Sequence, residues 1–207
     1  MKEIILFDRF DKQNPDSTLR WFCPPQRWQV SNSCLVVEPD ARTDYWQKTQ
    51  YGFTADNGHF LYFEHGDCIE LVTTVRFYPK HQYDQAGLMI RYSADRWIKT
   101  SVEYEPDGPN RLGTVVTKEG YSDWSTQEYP SSINMVTLRM QVEKDTCTVF
   151  YSGDSGPEVK PERWTQIRLT HFPKLESTTI QCGLYACSPQ EDGFRAEFDY
   201  VRAMSMK

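Results

Sequence analysis

Two stretches of this chain gather chemically useful side chains when every second residue is read. They are Gln85-Ala86-Gly87-Leu88-Met89-Ile90-Arg91 and Trp97-Ile98-Lys99-Thr100-Ser101-Val102-Glu103, joined through the polar turn Ser93-Ala94-Asp95-Arg96. Strand side chains alternate between faces, and a one-residue slip would invert the whole set. The register that keeps Ala86, Leu88 and Ile90 with Ile98, Thr100 and Val102 pairs Arg91 with Trp97 and Met89 with Lys99. It also sets Gly87 opposite Ser101 and Gln85 opposite Glu103. One face then holds an amide, a guanidinium, an indole, an ammonium and a carboxylate, with a shallow spot at Gly87. Such a face is either solvated, with cross-strand charge pairs contributing a few tenths of a kcal/mol, or a concave floor that reads hydroxyls, with Trp97 as a stacking platform. Lys99 beside Glu103 is expected to keep both charged at neutral pH, because each favours the other's ionised form. Glu103→Gln is then expected to weaken binding while leaving the melting temperature nearly unchanged.

A second cluster, Gly120-Tyr121-Ser122-Asp123-Trp124-Ser125, reads as a loop at the edge of that floor. Trp124 is placed there to stack on a ligand, and Asp123 to accept backbone N–H groups. The candidate ligand-binding residues are thus Gln85, Arg91, Trp97, Lys99, Glu103 and Trp124. No residue is assigned a catalytic role. An enzymatic alternative, a hydrolase or isomerase of carbohydrates, would use Glu103 with Lys99 or Arg91.

Other chemistries lack their patterns. The six cysteines make no CxxC pair and the four histidines no HxxxH, so no metal site or other cofactor is expected. No Gly-x-Ser-x-Gly elbow, Walker loop or Rossmann glycine pattern occurs. Glu103-x-Glu105-x-Asp107 runs into a Pro-Asp-Gly-Pro segment and reads as a solvated hairpin end, while His171 reads as a structural histidine near a strand end.

The elements that must position these residues are strands. Short alternating runs recur between Gly, Asp, Asn and Pro, with no helix-period stretch of useful length. They cover Cys34–Glu38, Cys68–Tyr78, Gln85–Tyr92, Trp97–Glu105 and Leu112–Thr117, then Val136–Glu143, Thr146–Ser152, Arg163–Phe172, Thr179–Ser188 and Phe194–Met204. Tyr51–Tyr62 reads as loop-rich, within a first sixty residues that are the least regular part. An aromatic content of 14% favours the pleated surface of sheets. All 207 residues fit one antiparallel two-sheet β-sandwich, whose core is expected to include Leu88, Ile90, Ile98, Val102, Val136, Leu138, Met140 and Val142.

A net charge of −6 offers no footprint for nucleic acid or an anionic membrane. The apolar run Ile4-Ile5-Leu6-Phe7 is too short for a signal peptide, and no run approaches the length of a membrane span. A cytoplasmic location with free thiols is therefore expected. Cys182 and Cys187, on one strand, would lie about 16 Å apart, against a Cα limit of roughly 7 Å for a disulfide.

The run Asp84 to Tyr92, then Trp97-Ile98-Lys99, Glu103, Val115-Val116-Thr117 and Gly120 to Ser125, resembles the domain of unknown function 1349. So do Leu138-Arg139, Gly183 to Pro189 and Phe198-Asp199-Tyr200. That family includes the regulation-of-enolase protein 1 of fungi. The resemblance covers about residues 60–205, its motifs gaining specificity from their order. It implies a concanavalin A-like jelly roll akin to the accessory domains of some xylosidases, and no established reaction. Retaining glucanases of that fold resemble one another in a strand bearing Glu-x-Asp-x-x-Glu. Here Glu197-Phe198-Asp199-Tyr200-Val201-Arg202 places Arg202 at the third carboxylate, and the pattern fails. The reading is a noncatalytic binding module for a glycan or another polyhydroxylated ligand, with a protein-interaction regulator of a metabolic enzyme as an alternative.

Overall fold

The computed structural model describes residues 3–66, 68–154, 163–174 and 179–206. In chain order the strands begin with β1 (Glu3–Asp8), β2 (Arg20–Phe22), β3 (Arg27–Ser31), β4 (Cys34–Glu38), β5 (Tyr45–Gln47) and β6 (Thr54–Asp56). Next come β7 (His59–His65), β8 (Ile69–Tyr78), β9 (Gln85–Ser93), β10 (Arg96–Glu103), β11 (Asn110–Lys118) and β12 (Tyr121–Tyr129). The last are β13 (Met135–Glu143), β14 (Thr146–Ser152), β15 (Thr165–His171), β16 (Ile180–Cys187), β17 (Arg195–Phe198) and β18 (Val201–Ser205).

They build two large antiparallel sheets. One runs β12-β11-β10-β9-β16-β7-β2; the other runs β15-β14-β13-β8-β17-β4-β3, with β18 beside β8 and β1 beside β18. A core of apolar side chains lies between them, drawn from the inward faces of both. All eight core residues expected from the alternation are buried in it. The β9–β10 register is the expected one, with Arg91 opposite Trp97, Met89 opposite Lys99, Gly87 opposite Ser101 and Gln85 opposite Glu103. None of the six cysteines is in a disulfide. Among the described residues no helix is long and apolar enough to cross a membrane.

Three segments differ from the sequence reading. The run Tyr121–Ser125 is strand, the start of β12, which pairs along its length with β11. As the outermost strand of its sheet β12 is polar on much of both faces, which disguised it as a loop. Within Tyr51–Tyr62 lie β6 and the start of β7. The final strand is broken at Asp199 and Tyr200, where the Tyr200 carbonyl accepts a hydrogen bond from Thr73 Oγ1 (2.6 Å).

Gly87 has a steric role in place of the expected shallow spot. A Cβ there would stand 2.0 Å from the Thr100 carbonyl oxygen and 3.0 Å from Leu138 Cδ1. Glycine therefore allows β9 to approach β10 where the core leaves no room. Gly87→Ala is expected to cost about 1–3 kcal/mol, as overpacking does, read as a lower urea midpoint at unchanged slope. An unchanged midpoint would mean that the strand pair gives way freely.

Candidate functional site

The outer face of the seven-stranded sheet is covered in part by the β5–β6 hairpin. Tyr45 packs edge-on against Trp97 (centroids 6.0 Å apart) and Tyr185 (6.3 Å), and its hydroxyl donates to the Gly58 carbonyl (2.6 Å). The Gln47 N–H donates to Ser122 Oγ (2.9 Å), and Gln47 Nε2 to the Ala94 carbonyl (3.1 Å), tying the hairpin to β12 and to the β9–β10 turn. At its other strand, Asp56 forms an ion pair with Arg91 (2.6 Å), whose guanidinium lies 4.7 Å from the Phe22 ring centroid.

Between this hairpin and the sheet opens a cavity of about 390 Å³. Its floor holds Gln85, Lys99 and Glu103 from β9 and β10, together with Asp44; aromatic walls come from Trp46, Tyr51, Phe53, Tyr83 and Trp124. Trp46 and Ala55 are register partners in the hairpin and both line it. Trp124 is seated through Gly113, where a Cβ would stand 2.9 Å from the indole Nε1.

The floor is a hydrogen-bonded network. Lys99, 1% exposed, donates to Gln85 Oε1 (2.8 Å) and pairs with Asp44 Oδ1 (3.2 Å). Gln85 Oε1 also accepts from the Tyr185 hydroxyl (3.0 Å), and Gln85 Nε2 donates to the Tyr83 carbonyl (3.1 Å). Burial works against the Lys99 ammonium, but the carboxylates of Asp44 and Glu103 outweigh it and hold its pKa above the ordinary value. Glu103 is different. Burial pushes its carboxyl up to about 7 against the pull of Lys99, with Asp44 and Glu105 adding to the push. The expectation that Lys99 keeps Glu103 firmly ionised at neutral pH is thereby corrected, because desolvation exceeds the attraction of an ammonium already engaged elsewhere.

Of the six residues proposed from sequence, four line this cavity: Gln85, Lys99, Glu103 and Trp124. Trp97 is fully buried beneath Tyr45 and donates its Nε1–H to the Ala94 carbonyl (3.1 Å), so its faces are closed to a ligand. Arg91 points at Asp56 and does not line the cavity, which removes it from any partnership with Glu103 there. Sequence reading missed Asp44 and the wall of Trp46, Tyr51 and Phe53. The density of rings in an otherwise irregular segment was the available signal.

Other residues singled out earlier lie elsewhere. Asp123 faces solvent and pairs with Arg168 (3.1 Å) in place of capping a turn. Glu197 and Asp199 both pair with Arg76, at 3.7 and 2.7 Å, on the other sheet. His171 is exposed, 3.5 Å from Asp145; the buried histidine is His59, held between the Cys23 carbonyl (2.6 Å) and the Asp40 N–H (3.0 Å). Among the described residues no cluster of His, Cys, Asp and Glu has the makings of a metal site.

This is a two-sheet antiparallel jelly roll of the concanavalin A-like class, with a cavity on its outer face. The chain belongs to the family described as protein of unknown function (DUF1349), whose pattern matches residues 21–206. It is 34% identical over 178 residues to Regulation of enolase protein 1 of Saccharomyces cerevisiae, covering 86% of this chain and 85% of that protein. A crystal structure of a functionally unknown protein from Saccharomyces cerevisiae superposes with a TM-score of 0.78 at 34% identity, over 88% of this chain and 93% of that one. The GH43 protein BlXynB of Bacillus licheniformis shares the fold at 17% identity (TM-score 0.74), with 96% of this chain matching 39% of that one.

Proposed function

We propose that this chain is a noncatalytic binding module for a small polyhydroxylated ligand, in the first place a carbohydrate. The observation that carries the reading is the cavity itself: aromatic walls over a floor of fixed donors and acceptors, within the size range of small-molecule sites. Rings suit the apolar faces of sugars, and the floor suits their hydroxyls. Asp44 already accepts from Lys99 and from the Tyr45 N–H (2.7 Å), which suits it to holding geometry and not to shuttling protons. The likeness to part of GH43 proteins supports the fold on which such a site would sit and nothing finer.

The test is calorimetric titration with a panel of mono- and disaccharides, then with Trp124→Ala. Trp124 lines the cavity at a half-buried position, so its truncation is expected to cost about 1–3 kcal/mol of binding with little change in melting temperature. If the parent binds no sugar, or the variant binds as well as the parent, the reading fails. A second reading, a protein-interaction regulator of a metabolic enzyme in the cytoplasm, draws on the name of the yeast relative and on the exposed rings of Tyr51, Phe53 and Tyr121. Association with an enolase that persists in excess free sugar and in Trp124→Ala would favour it.

A further inference from the structure

Glu103 is 7% exposed and lines the cavity, yet no described residue hydrogen-bonds to its carboxylate or forms an ion pair with it. The charged groups around it are otherwise occupied or remote. On its own strand, Lys99 is held by Asp44 and Gln85. Just beyond β10, Glu105 accepts from Gln82 Nε2 (2.8 Å). Arg111 stands opposite Glu103 in register on β11 without forming an ion pair, and Arg42 belongs to the exposed rim. From β16, Tyr185 and Cys187 are both pushed up by burial and stay neutral. Tyr83, on the wall, is also raised by burial.

A ligand entering this cavity therefore meets, beside an ammonium already engaged by Asp44 and Gln85, the unpartnered acceptor oxygens of Glu103 below and π faces around it. Trp46, Tyr51 and Phe53 form a continuous row, with centroids 5.7 and 6.2 Å apart. Ring faces carry the negative end of the aromatic quadrupole, and a desolvated carboxylate binds most strongly to a charged donor. An anionic ligand would be opposed by both Asp44 and Glu103.

We propose that the cavity selects a polyhydroxylated ligand bearing a protonated amine, an amino sugar or amino polyol, with the ammonium seated on Glu103 beside the rings of Trp46, Tyr51 and Phe53. This rests on reading the cavity as a polyol site and narrows it. The burial that raises Glu103 also gives the association a pH signature. Below neutrality the carboxyl must lose its proton before it pairs with the ammonium, so affinity rises as pH rises through about 7.

The experiment is calorimetric titration with glucosamine against glucose, and with glucamine against sorbitol. Glucamine differs from sorbitol by an ammonium in place of a hydroxyl, and its alkylamine, like that of lysine, stays protonated well above neutral pH. The amines are expected to bind at least about tenfold more tightly than their neutral counterparts. Glucamine affinity should rise about tenfold between about pH 6 and about pH 8, the span over which a group titrating near 7 ionises. In Glu103→Gln both the preference and the rise should vanish while sorbitol binding persists. If sorbitol and glucose bind as well as the amines, the amine proposal is overturned and the polyol reading stands. If none of the four binds, both are overturned.

Discussion

Asp44→Ala is expected to destabilise the protein by about 3 kcal/mol or more, although Asp44 sits in an irregular segment outside both large sheets. Asp44 is the counter-ion of an ammonium that is 1% exposed. Removing it leaves Lys99 with the Gln85 amide oxygen and the rings of Trp97 and Tyr185, whose centroids lie 5.9 and 5.8 Å from Nζ. Beyond these partial charges only the Glu103 carboxyl remains nearby; it forms no ion pair with Lys99 and burial holds it up to about 7, so it replaces Asp44 poorly. Breaking a buried pair from one side typically costs about 3–5 kcal/mol, because the surviving charge is stranded. Lys99→Met should cost less, since it removes the stranded charge and the Asp44 side chain, 18% exposed, still reaches water. The double variant should then be more stable than Asp44→Ala alone, with a coupling of at least about 1 kcal/mol in urea unfolding. If the effects of the two substitutions simply add, Asp44 does not hold Lys99, and the floor is not the network described.

How much of this was readable in the chain depends on the range of the interactions involved. The β9–β10 register was legible because a one-residue slip would part Ala86, Leu88 and Ile90 from Ile98, Thr100 and Val102, while the short turn at residues 93–96 leaves little room for longer slips; the apolar sets then define the opposite face. What covers that face was not legible. The hairpin of Tyr45–Gln47 and Thr54–Asp56 has three residues per strand, and its turn uses left-handed backbone at Lys48 and Gln50. It is held by partners far away in sequence, with Tyr45 on Trp97 and Gln47 on Ser122. Alternation therefore placed Trp97 on the correct face but could not reveal that Tyr45 would bury it. The charge state of Glu103 was illegible for the same reason. Spacing to Lys99 argues for an ionised pair, whereas desolvation depends on a lid contributed by another part of the chain.

That lid reverses the expectation for the stability of Glu103→Gln. With Glu103 taken as a solvated face residue, its replacement should leave the melting temperature unchanged; with Glu103 buried and unpartnered, the variant is expected to be more stable above neutral pH. The carboxyl titrates near 4.5 when unfolded and near 7 when folded. Between those values the folded state binds more protons than the unfolded one, so stability falls as pH rises. The contribution is fully present below about pH 4.5, is lost progressively up to about pH 7 and stays lost above it. A shift of that size corresponds to about 3 kcal/mol, or a melting temperature higher by roughly 10 °C for a chain of this length. Glutamine keeps the shape and has no charge to desolvate, so the gain should appear at about pH 8 and disappear at about pH 4.5. Thermal melts of parent and variant at those two pH values and at about pH 6 give the gap directly. Parallel curves would mean that Glu103 is not desolvated in the folded protein. A widening gap would identify a carboxylate that weakens the empty protein where it stands, as expected of a group kept for a ligand and not for the fold.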